Sequence, residues 1–296
     1  MPIAYATVEA IKDALADSVG SSTTKYDNEL RRCANQASRL IDRLTGRTFW
    51  PDYATRYPPS DGGASLYVDG DLLEVDSVSM SSDDGLTYTE LETTDYLSIG
   101  GPRLRYDATP IYRLDINQNT DSDYSYWYTG QQSIKLVGWW GWHDDYANCW
   151  ENSQDTVEND PLTAAGTSIT VNDADGADLW GLTPRFQAGQ LLKIESEFIM
   201  VTAVTAASTN TLTVIRGQCG TTAAAHVVNK AIYIYRPPEI VKEAVIASAV
   251  RAFKRAQAAY QDAGGFVELG QLMYVKEIAP EVKAVLYDAG LRRVTV

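Results

Sequence analysis

Hydrophobic side chains in the first 47 residues recur at helical spacing. A short stripe follows Thr7, whose hydroxyl can cap a helix, and a longer stripe fills the region from Asp27 to Thr45. The longer stripe repeats at intervals of three and four residues and comprises Leu30, Cys33, Ala34, Ala37, Leu40, Ile41 and Leu44. It predicts an amphipathic helix, with Asp27 as its N-terminal cap and Gly46 as the left-handed residue that ends it.

Four arginines, Arg31, Arg32, Arg39 and Arg43, lie off this apolar stripe. They form either a solvated helix face or part of a contact between subunits.

From residue 48 to residue 140 the pattern changes to short runs of aromatic, β-branched and aliphatic residues. Turn signals such as Asp61-Gly62-Gly63 separate the runs, and no helical stripe intervenes. The pattern predicts an antiparallel sheet with strands at 65–68, 72–79, 88–91, 96–99, 103–106 and 133–137.

The composition changes again after Trp150. Residues 151–161 are acidic, polar and without periodicity, which is typical of a linker. A second series of apolar runs follows at 168–171, 191–194, 198–204, 211–215 and 231–235. These runs predict a small separate all-β module within residues 151–235.

The last 60 residues return to a helical pattern. Pro237-Pro238 opens a second long stripe that continues to about Tyr260, because proline suits the first turn of a helix. A shorter helix is predicted from Pro280 to about Asp288, and a strand-like tail follows at 291–296.

Composition narrows the functional classes. The chain has 296 residues, 45% of them hydrophobic, which predicts a sizeable core. The net charge of −14 disfavours a protein that grips nucleic-acid phosphates. No run approaches the roughly 18 apolar residues of a membrane helix, so no membrane partner is expected. Three widely spaced cysteines favour a reducing compartment over a disulfide framework.

Candidate catalytic and cofactor chemistry is sparse. The two histidines are His143, next to Asp144 and Asp145, and His226, whose sequence neighbours include no acid. A metal at His143 is a weaker interpretation than a solvated loop or a subunit contact, and His226 is interpreted as structural. The Asp-rich run at 172–178 lacks the spacing of a calcium loop and is interpreted as a β-turn. We therefore expect no enzyme activity, catalytic residue, metal or cofactor.

Three segments carry a resemblance to a known family. Tyr26 to Phe49, with its small-residue helix face and closing Gly46-Arg47-Thr48-Phe49, resembles the opening of head–tail connector (adaptor) proteins of tailed bacteriophages. The segment from Pro237 to Val245 is similar to that family's second helix, and the segment from Ala279 to Leu286 to its closing helix. The resemblance covers 1–150 and 236–296, whereas 151–235 departs from it.

The resemblance implies an α+β fold. Its helical adaptor core would comprise the long N-terminal helix and the Pro-led C-terminal helix, with an antiparallel sheet. Residues 1–150 and 236–296 would form this core, and 151–235 an inserted small all-β domain. The insert either projects outward from the neck or clamps neighbouring subunits together.

The resemblance also implies a function. Such proteins form a ring, commonly of twelve subunits, between the portal protein and a tail-side neck or tail-terminator protein, and DNA passes through the lumen. The chain would be made in the host cytoplasm and reside in the virion neck. The tail is the expected portal-binding segment: Leu291, Arg292, Arg293, Val294, Thr295 and Val296. The aromatic residues expected at inter-subunit or tail-side contacts are Tyr124, Tyr126, Trp127, Tyr128, Trp139, Trp140 and Trp142.

The tyrosine- and tryptophan-rich region from Tyr124 to Trp150 also leaves a second function open, because surface aromatics can stack on sugars as well as anchor protein interfaces. That alternative is a virion or surface protein that binds carbohydrate or a receptor.

Overall fold

The computed structural model of the protein describes residues 4–15, 24–101, 104–106, 108–119, 124–181, 183–206, 209–257, 263–266, 271–274 and 280–291. These residues form two compact units. The first-sheet unit comprises Thr48–Cys149 and Cys219–Thr221. The helix-and-second-sheet unit comprises Met1–Arg47, Trp150–Gln218 and Thr222–Val296. The predicted domain boundaries at 151 and 235 stay a prediction.

The first-sheet unit is an antiparallel sheet in the order β1-β7-β2-β6-β4-β5, with β3 paired to β2. Its core lies on one face of the sheet, where Leu66, Leu114, Leu136 and other apolar side chains are buried. The alternation of buried and exposed positions along each strand produces this one-sided core. The strands are β1 (Asp52–Arg56), β2 (Ser65–Met80), β3 (Thr89–Glu90), β4 (Tyr96–Gly100), β5 (Arg105–Tyr106), β6 (Ile111–Ile116) and β7 (Ile134–Trp140).

The second sheet has the order β8-β13-β10-β11-β12-β9 and is also antiparallel. Its core is equally apolar, with Phe186, Ile194, Ile199 and Leu212 buried completely. The strands are β8 (Trp150–Thr156), β9 (Ser168–Thr170), β10 (Leu191–Ile194), β11 (Glu197–Thr205), β12 (Thr211–Ile215) and β13 (Ala231–Tyr235). A separate hairpin joins β14 (Ala263–Phe266) and β15 (Gln271–Tyr274).

The helices are α1 (Val8–Leu15), α2 (Asp27–Thr45), α3 (Glu239–Gln257) and α4 (Pro280–Asp288). The predicted bounds of α2 and α4 are confirmed, and Gly46 ends α2 in the left-handed region with its N–H bonded to the Asp42 carbonyl. The predicted cap at Asp27 is wrong. Tyr26 occupies the cap position without a side-chain bond, and Asp27 is the first helical residue, whose carboxylate pairs with the buried Lys12 at 2.7 Å.

The expected fold class is wrong. The described chain is mostly β, with 13 strands in two antiparallel sheets, and does not have a helical adaptor core. The physical reason is that each long helix buries one stripe only. Leu30 and Ile41 of α2 are buried, for example, while Arg31 and Arg43 are exposed. The helices therefore pack as a layer, whereas each sheet builds an extensive core of its own.

None of the described helices is both long enough and apolar enough to cross a membrane.

Candidate functional site

The strongest concentration of buried charge lies in the second sheet, around Glu197. Its carboxylate is completely buried and accepts two bonds from the Arg216 guanidinium, at 2.7 and 2.6 Å. The backbone N–H groups of Gly217 and Ala224 also donate to it. Burial opposes ionisation, but these donors outweigh it and lower the pKa of Glu197.

His226 completes this cluster. Its Nε2 lies 2.8 Å from a Glu197 oxygen and its Nδ1 lies 2.8 Å from a Glu195 oxygen. Glu195 is half-exposed and also pairs with Lys230 at 2.7 Å. The sequence interpretation missed both acids, because they lie about 30 residues away, Glu195 on the turn between β10 and β11 and Glu197 at the start of β11. Since every polar atom of the ring has a protein partner, the cluster serves to pin the loop after β12 onto the sheet.

A second network holds the loop at 172–185. The buried Asp155 carboxylate accepts the backbone N–H groups of Asn172 and Asp173 and pairs with Arg185 at 3.0 Å. The Asp173 carboxylate accepts the N–H of Gly176, as a turn requires. These carboxylates are occupied by the protein itself, in agreement with the interpretation of this run as a turn.

His143 lies in a buried position of the first-sheet unit. Its Nδ1 accepts the N–H of Asp145 at 2.9 Å and lies 3.3 Å from Asp144. Within the described ranges, no three His, Cys, Asp or Glu side chains are grouped so that they could hold a metal ion. Burial raises the pKa of the Cys219 thiol to about 12, so this cysteine is protonated at neutral pH and is a poor nucleophile.

The structure separates the aromatic residues that the sequence grouped together. Trp127 and Trp140 are core residues, and their indole N–H groups donate to backbone carbonyls, that of Trp140 to Ala54 at 2.9 Å. Tyr126 is 58% exposed. Tyr124 and Tyr128 are half-buried against each other, and Trp142 is half-buried against Phe49. The core positions of Trp127 and Trp140 leave the other five as the candidates for contacts with a partner.

Trp139 belongs to a surface cluster on the face of the first sheet opposite the core. Its ring lies 5.1 Å from that of Tyr53 on β1, and Glu74 on β2 is its cross-strand partner. The Tyr53 hydroxyl donates to Asp76 at 2.6 Å, and this bond raises the pKa of Tyr53 to about 12. We call Tyr53, Glu74, Asp76 and Trp139 the acidic-aromatic face. The position of β1 beside β7 creates it, and sequence patterning did not predict β1.

The arginines of α2 also occupy distinct positions. Arg32, Arg39 and Arg43 project within about 40° of one another, given 100° per residue, and Arg31 projects about 80–120° away from them. Arg39 pairs with Asp42 at 2.8 Å, whereas Arg32 and Arg43 are exposed, and Arg32 lies 3.9 Å from Glu29. We call Arg32, Arg39 and Arg43 the arginine row.

The predicted portal-binding segment is largely outside the described residues. Leu291 is described and is buried, with its N–H bonded to the Leu286 carbonyl. Arg292, Arg293, Val294, Thr295 and Val296 lie outside the described residues.

No protein-family model matches the chain, and no curated protein matches it either. Its function is therefore argued from its own residues.

Proposed function

We propose that this chain is a structural virion protein that forms a ring between the portal and the tail of a tailed bacteriophage. In this role it docks the portal on one side and a neck or tail-terminator protein on the other, while DNA passes through the lumen. The proposal includes no catalytic step and no cofactor, and it assigns the chain to the virion neck.

The observation that carries the proposal is the packing of the segments on which the resemblance rests. These are α2, α3 and α4, which are distant in sequence. Helix α3 packs on both α2 and α4, and the Tyr26 ring meets the ring of Phe253 edge-on at 5.5 Å. Leu44 and Thr45 of α2 also line a small recess with Leu286 and Tyr287 of α4. Three resemblance segments that pack together in one helical layer support the proposal better than three scattered segments would.

The charge of the chain supports a conduit role. A net charge of −14 repels DNA phosphates, so an acidic lumen would let DNA move without adhering. A ring also requires two different complementary surfaces on each subunit, because its contacts are heterologous.

Cryo-electron microscopy of the chain mixed with a portal ring tests the proposal. We expect a ring of density beneath the portal that fits both sheets and the helical layer. A strongly basic lumen would contradict the conduit role. Absence of the chain from the portal, together with its presence on fibres or on the capsid surface, would contradict the adaptor role.

One observation favours the second candidate function, carbohydrate or receptor binding. Tyr67 and Tyr106 are 70% and 65% exposed, and they lie in one cross-strand row in which Arg113 is the direct partner of Tyr67 and Ile99 that of Tyr106. Exposed aromatic rings beside a guanidinium can stack on sugar rings and bond their hydroxyls. Glycan-array binding by the full chain, lost on Tyr67→Ala and Tyr106→Ala, would favour this candidate.

A further inference from the structure

The net charge is distributed very unevenly along the chain. Thr48–Cys149, which forms nearly all of the first-sheet unit, carries 17 acidic and 5 basic side chains, so its net charge is −12. The remaining residues carry 22 acidic and 20 basic side chains and are nearly neutral. Such asymmetry shows that the acidic surface is concentrated on the first-sheet unit, where a local basic patch can bind.

The arginine row on α2 is a basic surface in the nearly neutral part of the chain. Arg32 and Arg43 lie three turns apart on α2, about 16 Å along its axis, with Arg39 between them. Among the described residues Arg43 has no ion pair, and the Arg32 side chain is 65% exposed. Arg39 is paired with Asp42 and Arg32 lies 3.9 Å from Glu29, so the positive charge of this face rests mainly on Arg43 and on the largely exposed guanidinium of Arg32.

The acidic-aromatic face has the complementary chemistry. Glu74 and Asp76 are exposed carboxylates, and the rings of Tyr53 and Trp139 lie beside them on adjacent strands. A guanidinium suits this combination, because it pairs with carboxylates through its planar N–H groups and also stacks on aromatic rings. An ammonium group would gain the ion pair but less of the stacking.

We propose that the arginine row of one copy docks on the acidic-aromatic face of a second copy. The contact is heterologous, since the two surfaces differ, and repetition of such a contact closes a ring if the rotation between copies permits. It names the subunit interface of the ring in the proposed function and rests on that function for its biological setting. Self-association itself can be measured without any phage component.

Charge complementarity is the argument for a second copy as the occupant. Two copies with a net charge of −14 repel each other overall, so unspecific association is disfavoured. A local match of opposite charges offsets this repulsion, and such matches determine which surfaces meet. The contact also gives a role to Trp139, which the sequence analysis predicted to lie at an inter-subunit or tail-side contact.

A reciprocal charge exchange tests this contact. One variant carries Arg32→Glu and Arg43→Glu, and the other carries Glu74→Arg and Asp76→Arg. Sedimentation velocity across a concentration series at physiological ionic strength should show self-association of the wild type. Each variant alone should associate at least about tenfold more weakly, which corresponds to about 1.4 kcal/mol. An equimolar mixture of the two should associate again, because each contact in an alternating assembly is then complementary.

Matched controls keep the net charge equal while leaving both surfaces intact. The control for the first variant carries Arg31→Glu and Lys254→Glu, which change the net charge by the same amount at exposed positions off the arginine row. The control for the second variant carries Glu90→Arg and Glu92→Arg, which are exposed positions outside the acidic-aromatic face. Both controls should associate like the wild type. Circular dichroism verifies that all variants fold.

A wild type that stays monomeric at every concentration would overturn the contact, and so would a variant mixture that fails to associate. Rings that dock on portals but tolerate both exchanges would overturn this contact while leaving the proposed function standing. Self-association that follows the exchange pattern without any portal binding would support this contact and contradict the proposed function.

Discussion

At the scale of single residues, the second sheet depends on charges that are buried with their partners. Glu197 is inaccessible to solvent, and Arg216 and His226 surround it with donors. A buried ion pair of this kind contributes little compared with a well-packed apolar substitute. Removal of one partner is nevertheless costly, because the other charge then stays buried without compensation.

The Glu197→Gln variant should therefore lose about 3–5 kcal/mol of unfolding free energy, because Arg216 is left without its counter-charge. Urea denaturation at pH 7 measures the loss. Glu195→Gln is the matched control, since the same chemical change occurs at a half-exposed carboxylate and should cost at most about 1 kcal/mol. Equal losses in the two variants would show that burial of Glu197 is unimportant.

The same pair predicts a pH dependence. The pKa of Glu197 is lowered in the folded protein from its ordinary value of 4.5. Its stabilising contribution is thus present above pH 4.5 and is lost as the pH falls through the lower, folded-state pKa. Because Glu197→Gln removes this titration, the stability difference between wild type and variant should narrow below pH 4.5. Denaturation midpoints across the acid range test this expectation, and a widening gap would contradict it.

Gly220 lies where the neighbouring backbone leaves no room for a side chain. A Cβ atom there would lie 2.1 Å from the carbonyl oxygen of Tyr53, and φ is +80°. Gly220→Ala should cost well over about 1 kcal/mol, whereas Gly181→Ala, at φ +83° with open space around it, should cost only about 1 kcal/mol. Thermal unfolding measures the stability of the two variants. Equal losses would show that the positive φ alone, and not the contact with Tyr53, accounts for the cost.

At the scale of elements, helices α2 and α3 are held by their apolar stripes. Phe253 is buried on α3 and meets Tyr26 at the start of α2, while Ile240 on the first turn of α3 is 42% exposed. Intrinsic propensity contributes little to helices of this length, so packing of the buried face determines their stability. The stability of α2 and that of α3 therefore depend on the packing between them.

Phe253→Ala should destabilise the chain by about 3–5 kcal/mol, because a large buried ring is replaced by a cavity. Ile240→Ala on the same helix should cost under about 1 kcal/mol, since its side chain already contacts water. Chemical denaturation followed by helical circular dichroism measures both. Similar losses would mean that the apolar face of α3 does not anchor the helical layer.

At the scale of the whole molecule, the described residues form two sheet cores and one helical layer. Both cores bury extensive apolar surface, which is the main source of stability. Leu291 belongs to the folded part, because its side chain is 1% exposed beside the end of α4. A truncation that tests the portal-binding segment must therefore keep Leu291.

A chain that ends after Leu291 should keep its unfolding temperature within about 1–2 °C, because no buried residue among those described is removed, but should bind portal rings at least about tenfold more weakly. Co-sedimentation with purified portal rings measures the binding. Portal affinity equal to that of the full chain would contradict the role assigned to residues 292–296.

Sequence periodicity determined the helices and most strands, because each depends on local spacing of apolar side chains. The apolar stripe of α2 and the glycine at position 46 predicted both ends of that helix correctly. Strand β8 was missed and interpreted as linker, because its composition, WENSQDT, is polar. It is a strand only because it pairs with β13 at the edge of the second sheet.

Contacts between residues that are distant in sequence were decided by the tertiary structure alone. Sequence could not show that Glu195 and Glu197 flank His226, that Trp127 and Trp140 enter the core, or that Trp139 joins Tyr53 on the opposite face. These outcomes depend on which strands pair and in which register, and a shift of one residue would exchange the faces. Local patterns specify elements, whereas the partners of each side chain follow from sheet order.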